Sequence, residues 1–447
     1  MKTIITYGTF DLFHQGHYNI LKRAKEQGDY LIVGVTGEQY DIERGKLNVS
    51  QTIAERIENI RRTGLADKII TEEYEGQKIS DIKKYHVDVF VIGSDWRGKF
   101  DFLKEHCEVL YLERTKDISS TMLRNKEISN IQFGIAGSGR IAERFVPESK
   151  YVSGCNIRGV YSRNIKNASK FCNKFELEFC TDDYEELVDK CDVIYIATPH
   201  KLHYQMTKSA LKKGKHVLCE KPITLNSNQL IELYEIADKK KLVLMEGIKT
   251  AYSPGFNRLI DLAKFEVIGK ICHIDATFTK LENKSNREFD FEQAGGSVNE
   301  LASYPLLVVE KLLGKPKAIS YNSIYENNVD IFTKINLEYE DAFATLKVGL
   351  GVKSEGDLVI SGTKGYIYVF APWWKTQEFE VRRENRNLNK KYFIQFDGDG
   401  LRYEISEFMK LINCKKKESW MLSRSNSINI VKVIEDFSRL NIQNMHN

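Results

Sequence analysis

ITYGTFDLFHQGH, residues 5–17, is the stretch from which the fold of this chain can be read. IITY (4–7) is short, apolar and rich in β-branched residues, so it reads as a buried strand. HYNILKRAKEQG (17–28) carries Ile20, Leu21 and Ala24 at helical spacing. A strand that passes through GTFD into a helix start puts His14 and His17 on the first helical turn, where residues three apart share a face. The unbonded amides and positive dipole end of a helix favour an anion, and two imidazoles add donors at the same spot. A phosphate is the natural guest. Histidines at a helix start also occur as plain caps or surface residues, and it is GTFD in front that favours the phosphate.

Outward from that stretch, strands and helices alternate to about residue 125: YLIVGVT, IAERIENIRRTG, KIIT, KISDIKKYH, DVFVIG, EVLYL and a final short helix. Such alternation predicts a parallel sheet covered by helices. The polar RNKEISN (124–130) then leads into IQFGIAGSG, a second strand entering a second glycine turn. IRGVYS, DVIYIAT, HVLCE and LVLME continue the second series to about residue 250. Beyond it, ICHIDATFTKLE, VDIFTKINLEYE, AFATLKVGLGV, DLVISG, GYIYVF and EFEVRREN suit an open, mainly antiparallel sheet with one wet face. The helices ISEFMKLINC and INIVKVIEDFSRL close the chain, which contains no internal repeat or low-complexity tract. Three domains are expected, over 1–127, 130–250 and 251–447, in line with a length of 447 residues.

Charge is nearly balanced, with 66 basic against 62 acidic residues, so no large basic surface for nucleic acid is expected. Eight cysteines stand singly, without a CxxC pair or a histidine at zinc spacing. They read as reduced thiols, and no structural metal site is expected. No apolar stretch approaches the length of a membrane span, and no signal-like segment opens the chain. A cytoplasmic location without membrane attachment is the expectation.

GTFDLFHQGH, with DVFVIGSDWRGKFDFLKEHCEVLYLERT (88–115) and RTKDISST (114–121), resembles the cytidylyltransferase family, specifically its glycerol-3-phosphate enzymes, across residues 1–125. The resemblance implies in-line transfer of a cytidylyl group from MgCTP to a phosphate ester with release of pyrophosphate, in which the protein spreads developing charge over donors. It assigns His14 and His17 to the α-phosphate and the leaving pyrophosphate, Lys46 and Arg44 to phosphate binding, and Arg114 to the start of the second signature. Thr9, Phe10, Asp11, Asp95 and the helix arginine Arg56 join the nucleotide site, while Ser119, Ser120 and Thr121 precede the helix TMLRN and can take triphosphate oxygens. Asp11 either steers magnesium or braces the turn. Arg114 also suits a surface ion pair, and the hydroxyls a plain cap. Two departures touch the acceptor: KDISST stands for EGISTT and GSDW for GDDW, changing charge at Lys116, Asp117 and Ser94.

GIAGSGRIA places Gly137, Gly139 and Ala142 in a GxGxxA turn between strand and helix, with Arg140 and Ile141 inside it. Glycines also build ordinary tight turns. The next strand ends in VYSRN, where Ser162 and Arg163 offer a hydroxyl and a cation suited to a 2′-phosphate, so NADPH is expected over NADH. IATPHKLHYQMTKSAL, HVLCEKPITLN, LMEGIKTAYSPGF and GGSVNELASYP follow in an order that resembles the Gfo/Idh/MocA oxidoreductases across residues 131–447. That resemblance implies cofactor contacts from Thr198, Pro199, His203 and Glu220, and makes Lys221 of EKP the group that hydrogen-bonds the reacting oxygen or the ribose. Tyr304 falls where the family has a proton-donating His or Tyr, and Glu300 where it usually has Asp. A packing role for Tyr304 and an exposed position for Glu300 are the alternatives.

The expected fold is thus α/β: a Rossmann-like nucleotidyltransferase domain, a Rossmann NAD(P)-binding domain, and an α+β domain with a large, mainly antiparallel sheet. Two such sites in one chain imply successive steps, cytidylyl transfer to a sugar, ketose or polyol phosphate and NADPH-dependent reduction of a ketose carbonyl, giving a CDP-linked alditol for cell-surface polysaccharide. Fructose 6-phosphate, a pentulose phosphate and glycerol 3-phosphate are the candidate acceptors. The alternative is a glycerol-3-phosphate cytidylyltransferase whose second part is a regulatory, non-catalytic NADPH-binding module. Mg2+ is expected with CTP, and a homo-oligomer on resemblance alone.

Overall fold

The computed structural model describes residues 2–11, 13, 15–43, 49, 51–74, 76–113 and 131–445. The chain falls into two compact units, Met1–Asn130 and Ile131–Asn447.

In the first unit the strand IITY becomes β1 (Thr3–Gly8), and its alternating side chains feed two cores. Ile4 packs on one face with Leu21, Ala24, Leu31, Val33 and Ile60. Ile5 packs on the other with Ile32, Ile82, Phe90 and Leu103. With β2 (Tyr30–Thr36), β3 (Lys68–Glu72), β4 (Val89–Gly93) and β5 (Glu108–Leu112) the order is β3-β2-β1-β4-β5, all pairs parallel. Strand order reverses on either side of β1, so a crevice opens outside its carboxyl end, where GTFD lies.

The second unit begins with β6 (Ile131–Ala136), β7 (Cys155–Tyr161), β8 (Phe179–Thr181), β9 (Val193–Ile196), β10 (His216–Glu220) and β11 (Leu244–Gly247), in the parallel order β11-β10-β9-β6-β7-β8. Sequence patterning misses the edge strand β8, whose three residues are too few to show a period. A second sheet holds β12 (Ile271–Thr279), β13 (Ala318–Glu326), β14 (Val329–Glu338), β15 (Phe343–Gly349), β16 (Leu358–Gly362), β17 (Gly365–Val369), β18 (Glu378–Arg382) and β19 (Lys390–Phe393). Its order is β13-β14-β15-β12-β16-β17-β18-β19. It is antiparallel except for β12 and β15, which run parallel. The helices Ser297–Leu301 and Ser303–Leu312 lie in the long connection that a parallel pair requires. They bury one face of the sheet around Ile274, Ala276, Ile335, Leu346 and Val348. Among the described residues no helix is long and apolar enough to cross a membrane.

Candidate active sites

In the first unit the turn after β1 is held from several sides. Thr9 Oγ1 donates to Asp41 Oδ1 at 3.0 Å. Arg56 Nη1 donates to the carbonyl oxygens of Thr9 (3.0 Å) and Thr36 (2.9 Å) and to Asp41 Oδ2 (3.0 Å). Arg56 and Asp41 are both fully buried, and each neutralises a charge that alone would be costly there. Arg56 therefore braces the turn, while its Nε and Nη2 are buried without a hydrogen-bond partner among the described residues. Phe10 adopts a left-handed conformation, φ +54°, uncommon for an aromatic residue. Buried Asp11 then accepts from the Gln51 amide at 2.9 Å through Oδ1.

His17 lies on the first turn of the helix Gln15–Lys25, a turn that carries no acidic residue. Phe10 meets its ring edge-on at a 5.4 Å centroid separation, and Phe13 packs on it at 5.6 Å. The aromatic pair fixes the direction of the imidazole at a helix start suited to an anion. Thr9, Phe10, Asp11, Arg56 and His17 are thus gathered at one strand end. His14, Arg44, Lys46, Arg114, Ser119, Ser120 and Thr121 lie outside the described residues, as does the side chain of Asp95, whose backbone belongs to the short turn Ser94–Trp96.

In the second unit the glycine turn follows β6. Gly137 sits at φ +111°, and a Cβ there would lie 2.5 Å from the Ala197 carbonyl oxygen, so the position admits glycine alone. Gly139 precedes the helix Arg140–Ser149 with no side-chain cap, and an added Cβ would meet nothing within 4 Å. Open space before bare helical amides fits a dinucleotide pyrophosphate. Ala142 is fully buried and Ile141 partly so, seating the helix on the core. Ser162 and Arg163 follow β7: the Ser162 amide donates to Thr181 O at 3.1 Å, and Arg163 is exposed.

Pro199 precedes the helix His200–Lys212, and Thr198 Oγ1 donates to Met206 Sδ at 3.6 Å. His203 is fully buried and clips two turns together, Nε2 to Thr198 O at 2.8 Å and Nδ1 to Pro222 O at 2.9 Å. Burial pushes its pKa down to about 4 despite those carbonyls, so the ring stays neutral near pH 7 and donates to one of the two. Glu220 accepts from Tyr195 Oη at 2.6 Å. Burial raises the Glu220 carboxyl, against the pull of Lys221.

A cluster of charged side chains is built around Glu300, which is buried. Lys221 Nζ donates to Glu300 O at 2.8 Å and lies 3.9 Å from Glu300 Oε2. Arg287 Nη1 lies 2.9 Å from Glu300 Oε1, and His200 Nε2 3.6 Å from the same oxygen. Lys221 Nζ also stands 5.9 Å from the Tyr304 ring centroid. Tyr304 is nearly buried, tilted against Phe278 at 5.0 Å, and Phe278 stacks on Trp374 at 3.7 Å. Burial, reinforced by Glu220, Glu404 and Glu300, raises the Tyr304 phenol far above its ordinary value, so it keeps its proton.

Sequence reasoning places Lys221, Glu300 and Tyr304 together, and the structure brings them together. It misses His200, Arg287 and Glu404. His200 is in the quoted ATP turn and could have been found there, whereas Arg287 and Glu404 reach the site only through tertiary packing. Glu404 is fully buried, and neither of its carboxyl oxygens has a hydrogen-bond partner among the described residues. Arg140, assigned to the cofactor turn, pairs with Glu282 at 3.0 Å and with Glu288. Burial would raise Glu282, but Lys280 and Arg140 hold it down to about 2.

Residues 5–126 match the cytidylyltransferase-like family model, residues 131–248 that of the oxidoreductase family with the NAD-binding Rossmann fold, and residues 256–368 that of the GFO/IDH/MocA C-terminal domain. The glycerol-3-phosphate cytidylyltransferase of Bacillus spizizenii is 50% identical over 124 residues, spanning 28% of this chain and 95% of that protein. The scyllo-inositol 2-dehydrogenase (NADP(+)) of Bacillus subtilis is 27% identical over 317 residues, 68% of this chain and 95% of that protein. The fold of the second unit is shared with a 3-ketoreductase from Actinomadura kijaniata solved with NADP and TDP-benzene, with a TM-score of 0.61 and 21% identity over 68% of this chain and 96% of that one. The chain belongs to the cytidylyltransferase-like family through its first unit and to the Gfo/Idh/MocA oxidoreductases through its second, and it is a bifunctional enzyme, a cytidylyltransferase and an NAD(P)-dependent oxidoreductase.

Proposed function

We propose that this enzyme makes a CDP-linked alditol, reducing a ketose carbonyl with NADPH and transferring a cytidylyl group from MgCTP to the phosphate of the ketose or of its alditol. In the transfer, a phosphate oxygen of the acceptor attacks the α-phosphorus of CTP, the bond to the bridging oxygen breaks, and pyrophosphate leaves. His17, held by Phe10 and Phe13, stabilises charge on the phosphates at the start of the helix, with His14, Lys46 and Arg114 as its partners. Asp11, whose Oδ1 takes the Gln51 amide, would hold the Mg2+ that CTP carries through its other oxygen.

NADPH, when bound, supplies the hydride. Lys221, with its ammonium anchored on Glu300 O, meets the charge that develops on the substrate oxygen, and the protonated Tyr304 phenol gives up the proton that the oxygen takes. The observation that carries the reading is the Lys221–Glu300–Tyr304 cluster beside a glycine turn with open space before it, in the same chain as the GTFD turn and His17. Exposed Arg163 after β7 supports NADPH over NADH. Free cysteines agree with a cytoplasmic enzyme. Apolar side chains exposed on the large sheet, Phe343 and Phe393 among them, support a homo-oligomer.

The test is the purified full chain with MgCTP, NADPH and a panel of ketose and alditol phosphates, with pyrophosphate release and nicotinamide absorbance followed separately. Both signals are expected from one ketose phosphate. Pyrophosphate release from glycerol 3-phosphate, with no ketose reduced and NADPH only modulating the rate, would instead establish the regulatory reading.

A further inference from the structure

Away from the Glu300 cluster, three cations converge on one residue. Lys249 Nζ donates to the backbone carbonyl of Asp399 at 2.7 Å, Lys375 Nζ lies 3.2 Å from Asp399 Oδ1, and Arg144 Nε lies 3.9 Å from Asp399 Oδ2. They arrive from separate elements. Arg144 is on the helix that starts at the dinucleotide turn, Lys249 follows β11, and Lys375 ends the turn Trp373–Lys375 before β18. Asp399 sits between Gly398 and Gly400, both at positive φ, so its loop is shaped to present it there.

The cluster borders the reducing centre. Gly247, two residues before Lys249, pairs in register with Glu220, the residue before Lys221. From Tyr304 an aromatic wall of Phe278 and Trp374 leads to Lys375, the residue after Trp374. Lys249 is 9% exposed, an unusual place for an ammonium unless a charge is to be met there. Burial lowers the Lys249 pKa, with Asp399 as the first influence opposing it. Glu404 and Glu220 follow among the carboxylates that act on it, and burial raises both of them. Asp399 thus gathers Lys375 and Arg144 on its carboxylate and Lys249 on its backbone carbonyl, and cations brought together from three separate elements suit a phosphate.

We propose that Arg144, Lys249 and Lys375 form the subsite for a phosphate group of the substrate that the oxidoreductase unit reduces. The proposal rests on the reading that this unit reduces a ketose, and it makes that ketose a phosphorylated one. The phosphate belongs either to a ketose phosphate monoester or to the diphosphate of a CDP-ketose. Lys375 and Arg144 reach it from the solvent side, and Lys249 closes the inner wall.

The experiment compares the full chain with Lys375→Gln and Arg144→Gln, whose side chains are 33% and 56% exposed and so replaceable without a folding penalty, and with Lys249→Gln. NADPH oxidation is followed with a ketose, its phosphate ester and the CDP-ketose. A preference for phosphorylated over plain ketose is expected in the native enzyme, with KM for the better phosphorylated substrate rising roughly 10- to 100-fold in each exposed variant and turnover of plain ketose unchanged. Which of the two phosphorylated substrates shows the larger rise identifies the phosphate source. Equal losses on plain and phosphorylated ketose, or no rise in KM, would overturn the subsite while leaving ketose reduction standing. If no ketose is oxidising NADPH, quenching of bound-NADPH fluorescence by the ketose phosphate decides: binding that the variants lose keeps the subsite and sinks the reduction, and no binding sinks both.

Discussion

Lys221 and Glu300 meet through the backbone: the ammonium donates to the Glu300 carbonyl oxygen at 2.8 Å and stays 3.9 Å from the Glu300 carboxylate. The carboxylate is engaged by Arg287 at 2.9 Å. A carbonyl anchor sets the position of the ammonium, and the Glu220 and Glu300 carboxylates are the counter-charges around it.

Lys221→Met should therefore lower reduction by about 10²- to 10⁴-fold while pyrophosphate release is unchanged. Glu300→Gln keeps the carbonyl but loses the charge facing Arg287, so it should act more weakly than Lys221→Met. Steady-state rates of both half-reactions on each variant check this.

His17→Ala should reduce cytidylyl transfer by about 10²- to 10³-fold, with nicotinamide oxidation intact. Phe10 and Phe13, which pack on that ring, make a second check. Phe13→Ala should lower the transfer rate less than His17→Ala, because it frees the imidazole without removing it.

Asp41→Ala leaves the Arg56 guanidinium buried without its counter-charge and takes the hydrogen-bond acceptor from Thr9. A cost of about 3–5 kcal/mol to the first unit is expected. Denaturant titration followed by transferase activity should show an earlier midpoint, while the midpoint for reductase activity stays in place.

Glu246 is fully buried, and its Oε1 accepts from the Ile223 amide at 3.0 Å. Burial raises its pKa from 4.5 to about 7. A carboxyl raised on folding contributes its full stability below pH 4.5 and loses it as pH rises through about 7. Glu246→Gln should therefore unfold with the native enzyme at pH 4.5 and later than it at pH 8, by about 2–3 kcal/mol. Thermal unfolding of the second unit at the two pH values measures the difference.

Gly137→Ala introduces a Cβ into a φ of +111° and against Ala197 O. A loss of about 1–3 kcal/mol and a weakened affinity for NADPH are expected. Fluorescence titration with NADPH reads the affinity, and cytidylyl transfer serves as the control that the rest of the chain is folded.

Periodicity and glycine placement made most of the architecture legible. IITY, IQFGIAG and HVLCE are apolar enough to belong in buried parallel sheets, and β1, β6 and β10 are found there. β13, AISYNSIYE, was not legible, because Asn322 and Ser323 interrupt the alternation and it takes its place at the sheet edge by pairing with β14. The parallel pairing of β12 with β15 was equally hidden, since strand direction depends on connections and not on pattern.

What the sequence by itself determined is local: which segments are strands, where the two glycine turns fall, and that Lys221, Glu300 and Tyr304 stand in motifs suited to reduction. Only the tertiary structure decided how those groups are used. Arg56 holds Asp41 and the Thr9 carbonyl, His203 clips Thr198 to Pro222, and Arg287 takes the Glu300 carboxylate. The physical reason is that strand and helix preferences act over a few residues, whereas a buried charge takes whichever partner the packed chain brings within hydrogen-bond reach, however distant in sequence.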